Sequence, residues 1–356
     1  MKRNLNLILI ILILSIALSA CTGRSSMTAS GWAGLTTDED TAYLSFNTSI
    51  IAVNLANGTE RWRYPSEADP KLTFYAAPGL TEGGDLIVGG YDNVLYRLNA
   101  QNGQATILFE DAEGRYIGAP LVTSNLIYAP SADHKLYALN MDGQKVWEYE
   151  TAEPLWAKPA TDPDCNCIYL TSMDHKVYAL EAATGATVWI SEDLGGSIVG
   201  TPGISADGVI FVGTFADELV ALDAATGKEL WRFQAQNWVW AGPAVSEDML
   251  YFGDLSGTFY ALDPHNGESQ WQLQPDGAIV GKPLVTEDGI YFTTEEGSLV
   301  AVNSEGAIRW NQPFETNLHA GPVAAGDLIL VATSNPENLL IAIDSNGVQK
   351  WSFGLE

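Results

Sequence analysis

The sequence predicts an all-β protein made of eight similar four-stranded units, and three observations support this prediction. A segment with an apolar strand, a glycine-containing turn and a tryptophan recurs with a period of about 41 residues. Each repeat contains four short apolar runs separated by polar turns, which is typical of β-strands. No stretch after residue 30 has the periodicity of an amphipathic helix of useful length.

Each repeat is marked by a turn glycine and by a tryptophan four residues after it. The turn glycines are Gly58, Gly103, Gly143, Gly185, Gly227, Gly267, Gly306 and Gly347. The tryptophans are Trp62, Trp147, Trp189, Trp231, Trp271, Trp310 and Trp351. Only the second repeat departs from the pattern, with Ile107 in place of tryptophan. Asn, Asp or Thr precedes most of the glycines, as expected for turns that need a positive φ.

These repeats are expected to close into one ring. Four-stranded units of about 40 residues without helices indicate a β-propeller, in which each blade buries both faces against its neighbours. We therefore predict an eight-bladed β-propeller over residues 31–356, with four antiparallel strands per blade and the repeated tryptophans packed between blades. In the sixth repeat the predicted strands are Gly242–Val245, Leu250–Gly253, Thr258–Leu262 and Ser269–Leu273. Either every blade is built from consecutive strands, or the N-terminal tether adds an outer strand to the last blade.

The first twenty residues have the pattern of an export signal. Two basic residues precede an uncharged apolar run from Leu7 to Leu18, which is short for a bilayer span of about 20 residues. The run ends in Leu-Ser-Ala-Cys at Cys21, which resembles the bacterial lipobox. The resemblance implies a signal peptide at 1–20, acylation of Cys21, and a tether at 21–30 that joins the protein to a membrane through lipid only. An uncleaved N-terminal anchor is the alternative.

The composition disfavours several classes of function. The chain has 44 acidic and 17 basic residues, which gives a formal net charge of −27. Such a surface repels nucleic-acid phosphates and anionic headgroups, so no nucleic-acid partner is expected. The sequence also has no EF-hand loop, no nucleophile elbow, no zinc-protease motif and no phosphate-binding glycine loop. It therefore assigns no catalytic residue and no metal ligand.

Two local patterns have both a functional and a structural interpretation. Cys165 and Cys167 suit a local disulfide or two free thiols better than a zinc site, which needs four ligands. Asp-His-Lys occurs at 133–135 and at 174–176, in the turn between the second and third strands of two adjacent repeats. Aspartate and histidine can bind a metal, but they also form polar turns, and we favour the second interpretation.

The candidate binding residues come from the innermost strand. Aligning the repeats on their prolines places Trp32, Tyr75, Ile117, Trp156, Val199, Trp240, Val280 and His319 at one equivalent position, near one mouth of the central channel. The residue two positions later faces the same side of a strand, and there the fourth and seventh repeats have Lys158 and Lys282. The functional hypothesis is that this mouth binds a flat anionic ligand or an apolar peptide segment. The alternative, which we favour from the sequence, is that the aromatic side chains pack between blades and the lysines pair with carboxylates.

The recurring Tyr-Ala-Leu-(Asn/Asp), Thr/Asn-Gly and Trp resembles the tryptophan-docking repeat of the pyrroloquinoline-quinone (PQQ) family of propellers. The resemblance covers nearly the whole chain after the tether, in eight copies. The family includes quinoprotein dehydrogenases and non-enzymatic envelope lipoproteins. The dehydrogenases generally carry adjacent cysteines over the cofactor, a carboxylate base and a calcium site. Here Asn166 separates the two cysteines, and no segment matches the base or the calcium ligands.

The resemblance implies a monomeric, non-enzymatic scaffold without a cofactor, anchored by lipid at the bacterial cell envelope and facing the periplasm or the exterior. Its expected partners are envelope proteins or extended polypeptide segments, which can add to an exposed edge strand or dock at the channel mouth. Two alternatives remain. One is a redox enzyme or sensor that binds PQQ with calcium. The other is a small-molecule or glycan receptor at the channel mouth.

Overall fold

The computed structural model describes residues 33–162, 165–246 and 248–355, and these form an eight-bladed β-propeller. Every blade is an antiparallel sheet of four strands that are consecutive in the sequence. A single 3-10 turn, Pro336–Asn338, is the only helical element in this described part of the chain. No helix there is long and apolar enough to cross a membrane. The predicted fold class is confirmed.

The strands are numbered in chain order, four to a blade. Blades 1 to 4 consist of β1 (Gly34–Thr37), β2 (Thr41–Phe46), β3 (Ser49–Asn54), β4 (Glu60–Tyr64), β5 (Gly79–Leu80), β6 (Leu86–Gly89), β7 (Leu95–Leu98), β8 (Ala105–Phe109), β9 (Leu121–Val122), β10 (Leu126–Pro130), β11 (Lys135–Asn140), β12 (Lys145–Glu150), β13 (Ala160–Asp162), β14 (Cys167–Thr171), β15 (Val177–Glu181) and β16 (Thr187–Ile190).

Blades 5 to 8 follow the same order. They consist of β17 (Gly203–Ile204), β18 (Val209–Gly213), β19 (Glu218–Asp223), β20 (Glu229–Gln234), β21 (Ala244–Val245), β22 (Leu250–Gly253), β23 (Phe259–Leu262), β24 (Ser269–Leu273), β25 (Leu284–Thr286), β26 (Gly289–Thr293), β27 (Ser298–Val302), β28 (Ile308–Pro313), β29 (Val323–Ala325), β30 (Leu328–Ala332), β31 (Leu340–Asp344) and β32 (Gln349–Phe353). In the sixth blade β21 begins two residues later than predicted, because Pro243 has no amide hydrogen to offer the sheet.

The repeated tryptophans join each blade to the next. Trp189 packs over Gly227, and its indole Nε1 donates a hydrogen bond to the carbonyl oxygen of Ala224 at 2.9 Å. Gly227 has a φ of 70°, and a Cβ there would overlap the indole ring. Two separate requirements therefore select glycine at this turn. The equivalent hydrogen bond to the next blade is made by Trp62, Trp147, Trp231, Trp271, Trp310 and Trp351. These contacts confirm that the tryptophans are structural.

The ring closes between the last blade and the first through the same contact. Trp351 packs over Gly58, and its indole donates to the carbonyl oxygen of Leu55 at 2.8 Å. A shared hydrophobic cluster includes Leu44 from blade 1 and Leu330 from blade 8. All four strands of the last blade come from residues 323–353. The last blade is therefore built from consecutive strands, and the tether lies outside the described residues.

The segments that enter the first strand of each blade meet around a central channel. A Cβ on Gly200 would lie 2.5 Å from the amide nitrogen of Gly242 in the next blade, and one on Gly118 would lie 2.8 Å from the carbonyl oxygen of Ala157. Only small residues fit at this close approach. The equivalent positions in the eight blades are all alanine or glycine: Ala33, Ala76, Gly118, Ala157, Gly200, Ala241, Gly281 and Ala320.

Candidate binding site at the channel mouth

One face of the ring carries the loops that lead into the innermost strands. Because the strands of a blade are antiparallel, the turns between second and third strands lie on this same face, which we call the entry face. Tyr75, Trp156, Trp240 and His319 lie on these loops in blades 2, 4, 6 and 8, and each side chain is half-buried. Trp32 and Cys21 lie outside the described residues. The structure thus places the described candidate residues at one mouth of the channel.

Three of the aligned positions meet in a single pocket between blades 6, 7 and 8. Trp240, Val280 and His319 line a pocket of about 210 Å³ together with Leu255, Ala278 and Glu295. The imidazole Nδ1 of His319 lies 3.2 Å from a carboxylate oxygen of Glu295. The pocket therefore has apolar walls and one polar pair at its edge.

An aromatic cluster borders this pocket on the side of blade 5. The ring of Phe215 lies 5.2 Å from that of Trp240 and stacks on Trp238 at 4.6 Å with an interplanar angle of 8°. Trp238 keeps 43% of its surface exposed although it is a large apolar side chain. Phe215 and Trp238 thus form a flat aromatic platform on the entry face, and Trp240 is tilted against it by 33°.

A second aromatic pair lies on blade 2. The rings of Tyr75 and Tyr91 meet edge to face at 5.0 Å, and the guanidinium of Arg115 lies 5.3 Å from the centre of the Tyr91 ring. Desolvation raises the pKa of both tyrosines, so their hydroxyls stay neutral hydrogen-bond donors near pH 7.

The sequence analysis missed a further set of apolar side chains at the mouth. They occupy one position of the turn between second and third strands, and the backbone amide at that position bonds to the loop before the first strand. Examples are Phe215 N to Ser197 O at 3.0 Å and Leu255 N to Trp238 O at 3.0 Å. The signal was an apolar residue in an otherwise polar turn, as in Tyr91-Asp92 and Met173-Asp174. We define the rim as Tyr75, Tyr91, Trp156, Met173, Phe215, Trp238, Trp240, Leu255, Val280 and His319.

Eight hydrophobic clusters of described residues occupy the spaces between blades, and Tyr75, Trp156 and Trp240 are not members of these clusters. Trp240 of blade 6 nevertheless contacts Phe215 of blade 5. The binding role and the packing alternative therefore both remain predictions.

Lys158 and Lys282 lie on the same channel-lining segments, two residues beyond Trp156 and Val280. Water reaches both side chains, yet protein surrounds them, and this desolvation lowers the pKa of each ammonium. The charge of Lys158 lowers the pKa of Lys282 further. Within residues 33–162, 165–246 and 248–355, neither lysine forms an ion pair. Among the described residues, these lysines therefore do not pair with carboxylates as the alternative predicts.

The two Asp-His-Lys turns serve the backbone. His134 and His175 have φ values of 73° and 71°, the conformation that Gly257 adopts at the same point of blade 6. The carboxylate of Asp133 accepts hydrogen bonds from the amides of Glu113 and Gly114. Nowhere in the described ranges are three His, Cys, Asp or Glu residues grouped to hold a metal ion.

Comparison with known proteins supports the repeat assignment. A family model described as outer membrane protein assembly factor BamB matches residues 46–162, 173–279 and 274–356. The chain belongs to this family. The crystal structure of BamB from Moraxella catarrhalis is 19% identical and matches with a TM-score of 0.69, covering 88% of this chain and 92% of that one.

A computationally designed protein, Ika8, also has this fold. It is 13% identical to the chain and matches with a TM-score of 0.75, covering 91% of this chain and 96% of the designed one. At these identities the two structures show the fold alone. Among curated proteins, none matches the chain.

The cysteine pair lies away from the channel mouth, unlike the adjacent cysteines expected over a PQQ cofactor. A disulfide joins Cys165 and Cys167 in the turn between β13 and β14, on the face opposite the entry face. The segment from Trp156 to that turn spans about 20 Å in an extended strand. The cysteine pair therefore cannot cover a ligand held at the rim.

Proposed function

We propose that the protein is a non-enzymatic scaffold of the bacterial cell envelope that binds polypeptide segments at its rim. The observation that carries the proposal is the set of apolar and aromatic side chains that recurs at the channel mouth in blades 2 and 4 to 8, partly exposed in an otherwise acidic protein. Contiguous exposed apolar surface on a soluble domain marks an interaction site. Aromatic residues are the common anchors of protein interfaces.

The geometry of the rim favours a polypeptide over a drug-sized ligand. Small-molecule sites usually enclose about 300–1,000 Å³, whereas the pocket beside Trp240 encloses about 210 Å³, enough for one large side chain. The stacked rings of Trp238 and Phe215 are already fixed, so binding costs little additional side-chain entropy. A segment with one apolar anchor in the pocket and its backbone across the platform fits these features.

The proposed cellular location rests on the N-terminal sequence and on the family. In this proposal residues 1–20 are a signal peptide, Cys21 is acylated, residues 21–30 form a tether, and residues 31–356 are the binding domain. The family description names outer membrane protein assembly, so exported outer-membrane proteins and their assembly machinery are the partners that we propose. The propeller acts as a monomer held to the membrane by its lipid.

The test is in-cell crosslinking of the tagged full-length chain, followed by identification of the captured proteins. The rim variant carries Trp156→Ala, Trp238→Ala and Trp240→Ala, and the control variant carries Val188→Ala and Leu230→Ala on exposed outer strands. We expect the wild type and the control to capture the same envelope proteins. The rim variant should bind at least about tenfold more weakly, because loss of an anchoring hot-spot aromatic costs about 2 kcal/mol or more.

Thermal unfolding of both variants shows whether the substitutions leave the fold intact. A folded rim variant that captures the same proteins as the wild type would refute binding at the rim. Capture of no protein by any form, with saturable glycan or small-molecule binding that Trp240→Ala abolishes, would favour the receptor alternative. Dye-linked oxidation of alcohols or sugars after incubation with PQQ and calcium would favour a redox role.

A further inference from the structure

Lys158 and Lys282 lie at equivalent positions of the segments that line the central channel. They belong to blades 4 and 7, so two whole blades separate them around the ring. The ammonium of Lys158 nevertheless acts electrostatically on that of Lys282. Both residues lie on the segments that line the channel, and neighbouring segments meet closely there: a Cβ on Gly321 would lie 2.1 Å from the carbonyl oxygen of Lys282. Two positive charges therefore lie on the lining of one narrow channel in a protein whose net charge is −27.

Nothing else at this level of the channel neutralises the two lysines. The equivalent positions in the other six blades are small and uncharged: Gly34, Ala77, Ala119, Thr201, Gly242 and Gly321. Six other basic side chains form ion pairs with carboxylates, namely Arg61, Arg63, Lys135, Lys145, Arg232 and Lys350, whereas the two channel lysines, like Lys71, Lys176 and Lys228, form none among the described residues. Among the described residues neither channel lysine has such a partner, although the chain has many carboxylates to offer.

This arrangement is unfavourable without a ligand. An ammonium that is surrounded by protein loses hydration, and a second ammonium nearby adds repulsion. Each lysine offers three hydrogen-bond donors and no acceptor. A negatively charged group placed between them would restore the lost interactions of both, and the six small neighbours leave room for it.

We propose that Lys158 and Lys282 form an oxyanion-binding site in the channel, taking a phosphate or carboxylate group. Water already reaches both side chains, so the site is open to a ligand. Lys158 lies two residues beyond Trp156 and Lys282 two residues beyond Val280, a distance of about 7 Å along each strand. The anion is either a free small ion or an acidic group of the chain bound at the rim.

This inference goes beyond the proposed function and does not depend on it. The first measurement is calorimetric titration of the full-length protein with inorganic phosphate at constant ionic strength, with chloride as the balancing ion. We compare the wild type with Lys158→Met, Lys282→Met and the double variant. The control is Lys228→Met, which removes an exposed lysine from a turn on the opposite face.

We expect one phosphate per chain, bound equally by the wild type and by Lys228→Met. Each single channel variant should weaken binding by about 10- to 100-fold, the usual effect of losing a hydrogen bond to a charged group. The methionine variants should fold at least as well as the wild type, because they remove unpaired charges. Thermal unfolding checks this point.

The second measurement repeats the crosslinking with the double variant. Phosphate binding with unchanged capture assigns the site to a free anion. Loss of capture with little phosphate binding by the wild type assigns the site to acidic groups of the captured segment. The proposal is overturned if the wild type and the double variant respond identically to phosphate and capture the same proteins. If the wild type captures no protein, the phosphate titration alone tests the proposed anion site.

Discussion

Blade 2 docks onto blade 3 without the tryptophan that docks each of the other seven blades onto its neighbour. Where those blades have tryptophan, blade 2 has Ile107, which points outward and is 60% exposed. Leu108 packs against Gly143 instead, at the place where Trp189 covers Gly227. The register shift in the pairing of the third and fourth strands also has a different position in blade 2, between Leu95 and Tyr96.

Arg97 makes the hydrogen bond that the tryptophan indole makes in the other blades. Its guanidinium donates a hydrogen bond to the carbonyl oxygen of Met141, which is the position that accepts the indole N–H in the other blades. Opposite each tryptophan the third strand has alanine, which leaves room for the ring: Ala52, Ala138, Ala179, Ala221, Ala261, Ala301 and Ala342. Blade docking thus needs a cover for the glycine turn and a donor for one carbonyl. One tryptophan meets both needs, and so do Leu108 and Arg97 together.

The largest expected effect is at a tryptophan interface. Trp189 is 9% exposed, and Trp189→Ala removes both the cover of Gly227 and the hydrogen bond to Ala224. We expect a loss of about 3–5 kcal/mol in the free energy of unfolding, as for other buried tryptophans. Leu108→Ala removes only the side chain that covers the glycine turn, and Leu108 is half-buried. This substitution should therefore lower the free energy of unfolding by less than Trp189→Ala does. Equilibrium urea unfolding followed by circular dichroism measures both, and equal losses would contradict the division of roles.

An intermediate effect is expected at Arg97. Arg97→Ala leaves the Met141 carbonyl without its donor at the interface, which should cost about 1–3 kcal/mol of unfolding free energy. The matched control is Arg309→Ala, since Arg309 also donates to a backbone carbonyl, that of Asp288, but on an exposed surface. A surface substitution of this kind usually changes stability by less than about 0.5 kcal/mol. Similar losses for the two variants in urea unfolding would show that the guanidinium does not replace the indole.

The comparison also shows what could be predicted from the sequence. The strands of blade 6 were predicted to within two residues, because each repeat has the same alternation of apolar runs and turns. The loss of tryptophan at Ile107 was visible, but the role of Arg97 was not, because the replacement comes from a different strand. Lys158 and Lys282 were aligned as equivalent residues, yet only closure of the ring brings them into one channel. The turn residues of the rim were missed because only the innermost strand was aligned.

The smallest expected effect is at Ile107 itself. If Leu108 and Arg97 have taken over the docking of blade 2, the side chain of Ile107 contributes little to the folded state. Ile107→Ser should therefore change the free energy of unfolding by no more than about 0.5 kcal/mol, the usual range for exposed positions. Urea unfolding beside the wild type and Trp189→Ala makes the contrast direct, since both substitutions fall at the same position of the repeat. A loss above about 1 kcal/mol would mean that Ile107 still packs against a neighbour. The position would then retain part of the docking role that tryptophan has in the other seven blades.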